Sequence, residues 1–271
     1  MEIWLLLCVG LVAGALGGLL GIGGSIIMIP AMVMLLGWDF HLAQAIAMTV
    51  NPAVALSSAV KHQRNKNISW QSTVYVLPIA VVCICIAAWL SNSIPGGWLE
   101  LAFGLFLIWV LWDQISCLTG RTDLLPKDST TKTVLPIRHS NETPLRGAII
   151  GGVTGTTAGF LGIGGGLIQV PLLNRLCGLN IKQAIGTSAS IMFVTAICGA
   201  IVKDLSLPSN TEGIQDMFPR VAWLIPGAII GGWFGAVLTN ILSVKYIRIV
   251  FSILVLLAAY KMISSGSTSI L

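Results

Sequence analysis

Two glycine runs carry the residue types in this sequence best suited to chemistry. They are Gly21-Ile22-Gly23-Gly24-Ser25 and Gly162-Ile163-Gly164-Gly165-Gly166, each set in apolar sequence and followed by a proline, Pro30 or Pro171. Glycine puts no Cβ between backbone and ligand. A helix that begins at such a run aims unpaired N–H groups and its positive dipole end at whatever lies ahead. The predicted chemistry is capture of a small anion by Gly21, Gly23, Gly24 and Ser25 on one side and Gly162, Gly164, Gly165 and Gly166 on the other. Close helix packing is the competing reading. It governs the four-residue ladders Gly10/Gly14/Gly18, Gly147/Gly151/Gly155/Gly159 and Gly227/Gly231/Gly235. No Gly-Lys-Ser/Thr follows either run, which excludes a nucleotide-binding P-loop.

A second constellation lies in the segment after each glycine-led one. Thr49-Val50-Asn51-Pro52 stands against Thr187-Ser188-Ala189-Ser190. Thr49, Asn51, Thr187, Ser188 and Ser190 offer neutral donors, suited to an oxyanion that must be bound and then released, and Pro52 frees a carbonyl one turn back. Hydroxyls that bond their own helix backbone explain the same residues equally well. Asn51 is the strongest candidate, because a buried amide demands partners. Gln169, where the first half has Met28, either lines a cavity or joins helices. Lys61-His62-Gln63-Arg64 is expected to be a cytoplasmic anchor or an anion-attracting vestibule, and Asp39-Phe40-His41 an interfacial turn.

The elements that must position these groups are apolar and long. Of 271 residues, 55% are apolar and 9% charged, with a mean hydropathy of +0.90. A soluble domain carries about 25% charged residues, so the fold class is an all-α polytopic membrane protein in the lipid bilayer. The net charge of +5 is spread between apolar stretches, so no nucleic-acid partner is expected. Tryptophans such as Trp4, Trp38, Trp70, Trp98 and Trp223 fall near segment ends, as in an aromatic belt. The apolar start, about residues 3–20, lacks a basic leader and reads as a retained helix. Six scattered cysteines form no C-x-x-C pair, so they read as packing residues, with no disulfide, metal or cofactor expected.

Apolar stretches run at about 3–20, 25–36, 42–60, 70–90 and 98–117, and again at 145–161, 166–178, 182–202, 222–241 and 246–263. Gly10, Gly14, Gly18, Pro30 and Gly37 recur as Gly151, Gly155, Gly159, Pro171 and Gly178 at a constant spacing of 141 residues. Duplication explains this register, and gives repeat 1 over 1–118, a cytoplasmic linker over 119–144 and repeat 2 over 145–271. The halves are expected to differ most in a loop from Lys203 to Arg220. Five segments per repeat invert the second half and collect Lys61, Arg64, Lys66, Arg146, Arg175 and Lys182 on the cytoplasmic side, as the positive-inside rule favours. The twelve-residue segments make about 18 Å of helix, less than the ~30 Å hydrocarbon core. Eight to ten helices, some short or re-entrant, therefore follow.

No ionisable residue is expected near the middle of a helix, since Glu100 and Asp113 lie near ends. Without a carboxylate relay or an ATPase motif, the reading is a facilitator, or coupling through protonation of the substrate itself. No nucleophile–base pair or metal cluster is visible, so the chain is not read as an enzyme.

The doubled L-G-I-G-G-(S/G)-x-I-x-x-P phrase resembles that of the sulfite exporter TauE/SafE family of membrane permeases. So do the downstream Gln44-Ala45-Ile46 and Gln183-Ala184-Ile185, the length and the central polar linker. The resemblance covers nearly the whole chain. It implies an inner-membrane carrier of sulfite, organosulfonates or related small oxyanions, and leaves room for a homo-oligomer. An anion channel, or a carrier of another small organic acid, is the alternative. Ala47-Met48-Thr49 against Gly186-Thr187-Ser188, with Asn51-Pro52 in the first repeat alone, is where substrate choice is expected to be set.

Overall fold

The computed structural model describes residues 2–20, 22–118, 144–206, 214–238 and 244–270. Gly21 and residues 119–143, nearly all of the expected linker, lie outside the described residues. Ten helices, and no strand, occur among the described residues. They are α1 (Glu2–Leu20), α2 (Ser25–Leu36), α3 (Phe40–Arg64), α4 (Trp70–Ser91), α5 (Gly96–Leu118), α6 (Pro144–Leu161), α7 (Gly166–Cys177), α8 (Ile181–Ser206), α9 (Ile214–Leu238) and α10 (Val244–Ile270). Each predicted apolar stretch becomes one helix. By length and composition, α3, α4 and α8 are long and apolar enough to cross a membrane.

The two short helices are built alike. Each has 12 residues, a glycine before its first turn, and a left-handed glycine after its last, Gly37 at φ 66° and Gly178 at φ 70°. The N–H groups of these terminal glycines reach back to Met32 O and Leu173 O, closing carbonyls the helix would leave open. Asp39 opens α3 by accepting from His41 N at 2.8 Å, so the expected turn is a helix cap.

The expected loop from Lys203 to Arg220 is a correction. Helix α8 continues to Ser206 and α9 already begins at Ile214, with Pro219 inside it. Lys203 does not end the helix, because its side chain is fully buried and finds partners on α3 and α4. Lys203 lies in the last turn of α8, so it is buried near a helix end and not at a helix middle.

Close packing follows the glycine ladders and crosses between the sequence halves. A Cβ on Gly14 would stand 2.4 Å from Ala228 O, and one on Gly235 would stand 2.0 Å from Ala15 O, so α1 and α9 touch backbone to backbone. In the same way, Cβ atoms on Gly151 and Gly155 would each stand 2.5 Å from a carbonyl of α4, those of Val76 and Ala80. Contact positions rise together along α1 and α9, and along α6 and α4, so both pairs are parallel. Equivalent helices of the two halves instead run antiparallel. His41 meets Lys203 while His62 approaches Gly186, and Gly104 meets Ala259 and Ile263 while Leu101 meets Gly266. This is inversion expressed as geometry.

The buried side chains separate into two main cores. The larger joins α1, α2, α3, α5, α9 and α10 through residues such as Ile26, Ile46, Phe103, Leu224 and Phe251, and takes in Leu161, Ile163 and Leu167 from the α6–α7 turn. The smaller joins α4, α6, α7 and α8 through Val76, Ala80, Ile150, Leu173 and Ile191. Helices α3 and α8 face each other between them.

The ends of the bundle differ in charge. The turn after α3 meets α8 near Gly186, and Arg146 donates to Leu176 O at 2.9 Å. Lys61, Arg64, Lys66, Arg146, Arg175 and Lys182 thereby share one end. Asp39, His41, Lys203, Asp204 and Arg220 gather at the other, where Arg220 stacks 4.5 Å above the Trp38 ring.

Candidate functional site

The α1–α2 and α6–α7 hairpins enter the bundle from opposite ends, and their glycine turns meet at mid-depth. Asn51, halfway along α3, sits between them. A Cβ on Gly23 would lie 3.3 Å from Asn51 Oδ1, 3.0 Å from Met192 Sδ and 3.4 Å from Ile163 O. One on Gly164 would lie 2.9 Å from Asn51 Nδ2 and 3.1 Å from the same Met192 sulfur. Gly23 and Gly164 have φ of 81° and 77°, a region that side chains other than glycine rarely enter. Backbone geometry and lack of space therefore both demand glycine here.

The polar groups at this junction are only half satisfied. Asn51 is fully buried and its Nδ2–H donates to Ser25 Oγ, while its Oδ1 has no partner. The Ser25 hydroxyl accepts that bond, so its own proton remains available. The first N–H groups of α2 and α7 cannot be used inside the helix. Those of Gly23, Gly24, Gly164 and Gly165 meet no backbone acceptor among the described residues. An orphaned buried polar group costs about 1–3 kcal/mol. Several such groups at one junction make a place where a polar ligand would be welcome.

Around this centre the structure sorts the predicted residues. Gly165 and Gln169 line a narrow cleft with Gly164, Thr154, Ile191 and Thr195. The Ser188 hydroxyl donates to Gln169 Oε1 at 3.0 Å, holding α7 to α8. Gly166 begins α7, and Gly162, φ 71°, lies against the Gln44 side chain. Three residues stand apart. Thr187 accepts from Ser69 N at 2.9 Å at the basic end, and Ser190 bonds Gly186 O in its own helix. Thr49 bonds Ala45 O at 2.9 Å and Asp204 Oδ2 at 3.1 Å, away from the glycine turns.

Sequence reasoning missed two supports. Gln44 is fully buried and its Nε2 donates to Gly159 O and Phe160 O, at 3.2 and 2.8 Å, capping the end of α6 from across the molecule. Met192 contributes the sulfur over which both glycine turns fold. The Gln44-Ala45-Ile46 repeat carried the first signal. A methionine in an apolar helix carries none. His62, within the stretch expected to be a cytoplasmic anchor or vestibule, is buried beneath the turn after α3 with neither ring nitrogen partnered.

Comparison with known proteins points one way. A family model described as "Sulfite exporter TauE/SafE" matches residues 6–262. A Bacillus subtilis protein named "Probable membrane transporter protein YunE" is 25% identical over 98% of this chain and 99% of its own length. A Haemophilus influenzae "Probable membrane transporter protein" is 30% identical over 73% of each chain. The "Probable membrane transporter protein MamO" of Paramagnetospirillum magneticum is 24% identical, and this chain spans 44% of its length. No solved structure matches.

Proposed function

Because the chain belongs to the sulfite exporter TauE/SafE family, and its relatives here are named probable membrane transporter proteins, we propose that it carries small sulfur oxyanions, sulfite or organosulfonates, across the inner membrane. One observation carries this reading. Two glycine-led helix starts, whose first N–H groups meet no backbone acceptor among the described residues, converge on the buried Asn51 amide and the Ser25 hydroxyl. The anion is held by the N–H groups of Gly23, Gly24, Ser25, Gly164, Gly165 and Gly166, together with Asn51, the Ser25 hydroxyl and Gln169. Positive dipole ends without a full positive charge favour an anion while letting it leave. The basic end of the bundle faces the cytoplasm, by the charge rule that orients membrane helices. A cleft this narrow, closed in among α4, α6, α7 and α8, fits alternating access better than an open pore.

Purified protein in liposomes tests this. Sulfite, sulfate, thiosulfate and methanesulfonate are compared by counterflow, in which substrate on the far side accelerates exchange through a carrier but not through a channel. Gly164→Leu, and separately Gly23→Leu, should abolish exchange while inserted protein remains. Wild-type exchange by both variants sinks the site, and failure of the whole panel sinks the substrate class.

A further inference from the structure

At the less basic end of the α3–α8 interface lies a polar cluster that the anion site does not use. Lys203 on α8 is fully buried, and its Nζ donates to Ser91 Oγ at 2.9 Å and stands 3.2 Å from His41 Nδ1. His41 Nε2 is 3.1 Å from Ile94 O. A ring that accepts at Nδ1 and donates at Nε2 is neutral, so the charge belongs to the ammonium. Beside it on α8, Asp204 is held by the Thr49 hydroxyl through Oδ2, and its Oδ1 is buried with no partner. Asp39 and Asp204 are the carboxylates within electrostatic reach of Lys203. The other titratable groups near this stretch are Cys85 on α4, which faces Cys198, the buried Glu100 on α5, which feels Asp39 and the Ser265 hydroxyl, and Arg220 on α9, stacked over the Trp38 ring. Arg175 and Cys177 on α7, and Lys61, His62 and Arg64 on α3, lie at the opposite end.

Buried ionisable groups in a membrane interior are expensive and mark ion pathways. This cluster sits where the two cores face each other, and Thr49 ties it to α3 two residues from Asn51. We propose that Asp204, flanked by Lys203 and His41, is a proton-exchange site that moves one proton in the same direction as the anion, an inference resting on the transport reading above. The Asp204 carboxylate takes a proton from water in one conformation and returns it to water in the other. Only an O–H bond forms and breaks. Asp39 is exposed and water screens its charge. With Asp204 ionised, the buried Lys203 and Asp204 cancel; with it protonated, the buried ammonium balances a monovalent anion in the site. The loaded carrier then crosses its low-dielectric transition without net charge, avoiding the cost of burying one.

The test uses the full chain in liposomes with sulfite as probe, and compares counterflow at equal pH with accumulation into an alkaline lumen. One proton per anion allows about tenfold accumulation per pH unit. Asp204→Asn, which stays neutral, should keep counterflow and lose accumulation, and Asp204→Glu should restore it. Sulfite protonation alone would drive the variant as well as the native protein, so accumulation by Asp204→Asn overturns the proposal. Loss of both activities in Asp204→Asn, with folded protein on size exclusion and no recovery in Asp204→Glu, overturns it too, since Asp204 would then only hold Thr49. Native protein that exchanges but never accumulates overturns coupling alone, whereas native protein without exchange overturns the transport reading.

Discussion

Asn51 has to hold Ser25 in place and still present one end of its amide to the glycine turns. Changing the charge separates this role from packing. Asn51→Asp keeps size and adds a negative charge, and at ~4 Å with an effective dielectric near 20 the repulsion of an anion is about 4 kcal/mol. Asn51→Ala loses a hydrogen bond worth ~1–2 kcal/mol in a membrane interior. The half-saturating anion concentration should therefore rise at least a hundredfold in the aspartate variant and about tenfold in the alanine variant. Equal, small changes would show that Asn51 only packs. Asn51 was legible because an amide in an apolar run has no cheap place except a polar junction. Thr49 was not, since its partner Asp204 lies 155 residues away. Lys203 and Asp204 looked like a loop because charge usually ends an apolar helix. Only the contacts that α3 and α4 supply show why it continues.

Among the elements, the glycine ladders divide labour with the glycine turns. The ladder positions bring backbones together, and the turn positions break helices where the anion would bind. Gly155 and Gly152 on α6 make the contrast testable. A Cβ on Gly155 would press within 2.5 Å of a carbonyl of α4, whereas one on Gly152 would meet nothing within 4 Å. Gly155→Leu should force α6 off α4 and cost more than the ~1–3 kcal/mol of ordinary overpacking, since backbone cannot step aside. Gly152→Leu should leave the melting temperature in detergent within a few degrees of the native value. Similar melting of the two would refute the backbone contact. The ladders were plain in the sequence, and so were the bounds of α2, because glycine and proline punctuate helices directly. Which ladder grips which helix was not legible. Spacing shows that a face is small, and the partner depends on how the two hairpins enter the bundle.

For the whole molecule, inverted repeats suggest that one sequence half rocks against the other, but the packing divides the helices differently. The glycine-tight contacts α1–α9 and α4–α6, and the α5–α10 contact, all join one half to the other, so rocking the halves would tear each of them. The two cores offer cheaper moving bodies. One holds α1, α2, α3, α5, α9 and α10, and the other holds α4, α8 and most of α6 and α7, whose turn reaches across through Leu161, Ile163 and Leu167; the Asn51 junction and the Lys203 cluster lie on the α3–α8 seam. Asn51 and Gly23 then travel with one body, Gly164 and Met192 with the other, and opening the seam at alternate ends exposes the anion to alternate sides. Paired cysteines in a chain freed of its native ones decide between the two divisions. Val9→Cys with Leu224→Cys ties α1 to α9 inside one core. Met48→Cys with Ala200→Cys ties α3 to α8 across the seam. A short thiol cross-linker should leave counterflow mostly intact in the first pair and stop it in the second, with recovery on reduction. If the sequence halves are the moving bodies, the α1–α9 link must stop exchange as completely as the α3–α8 link does.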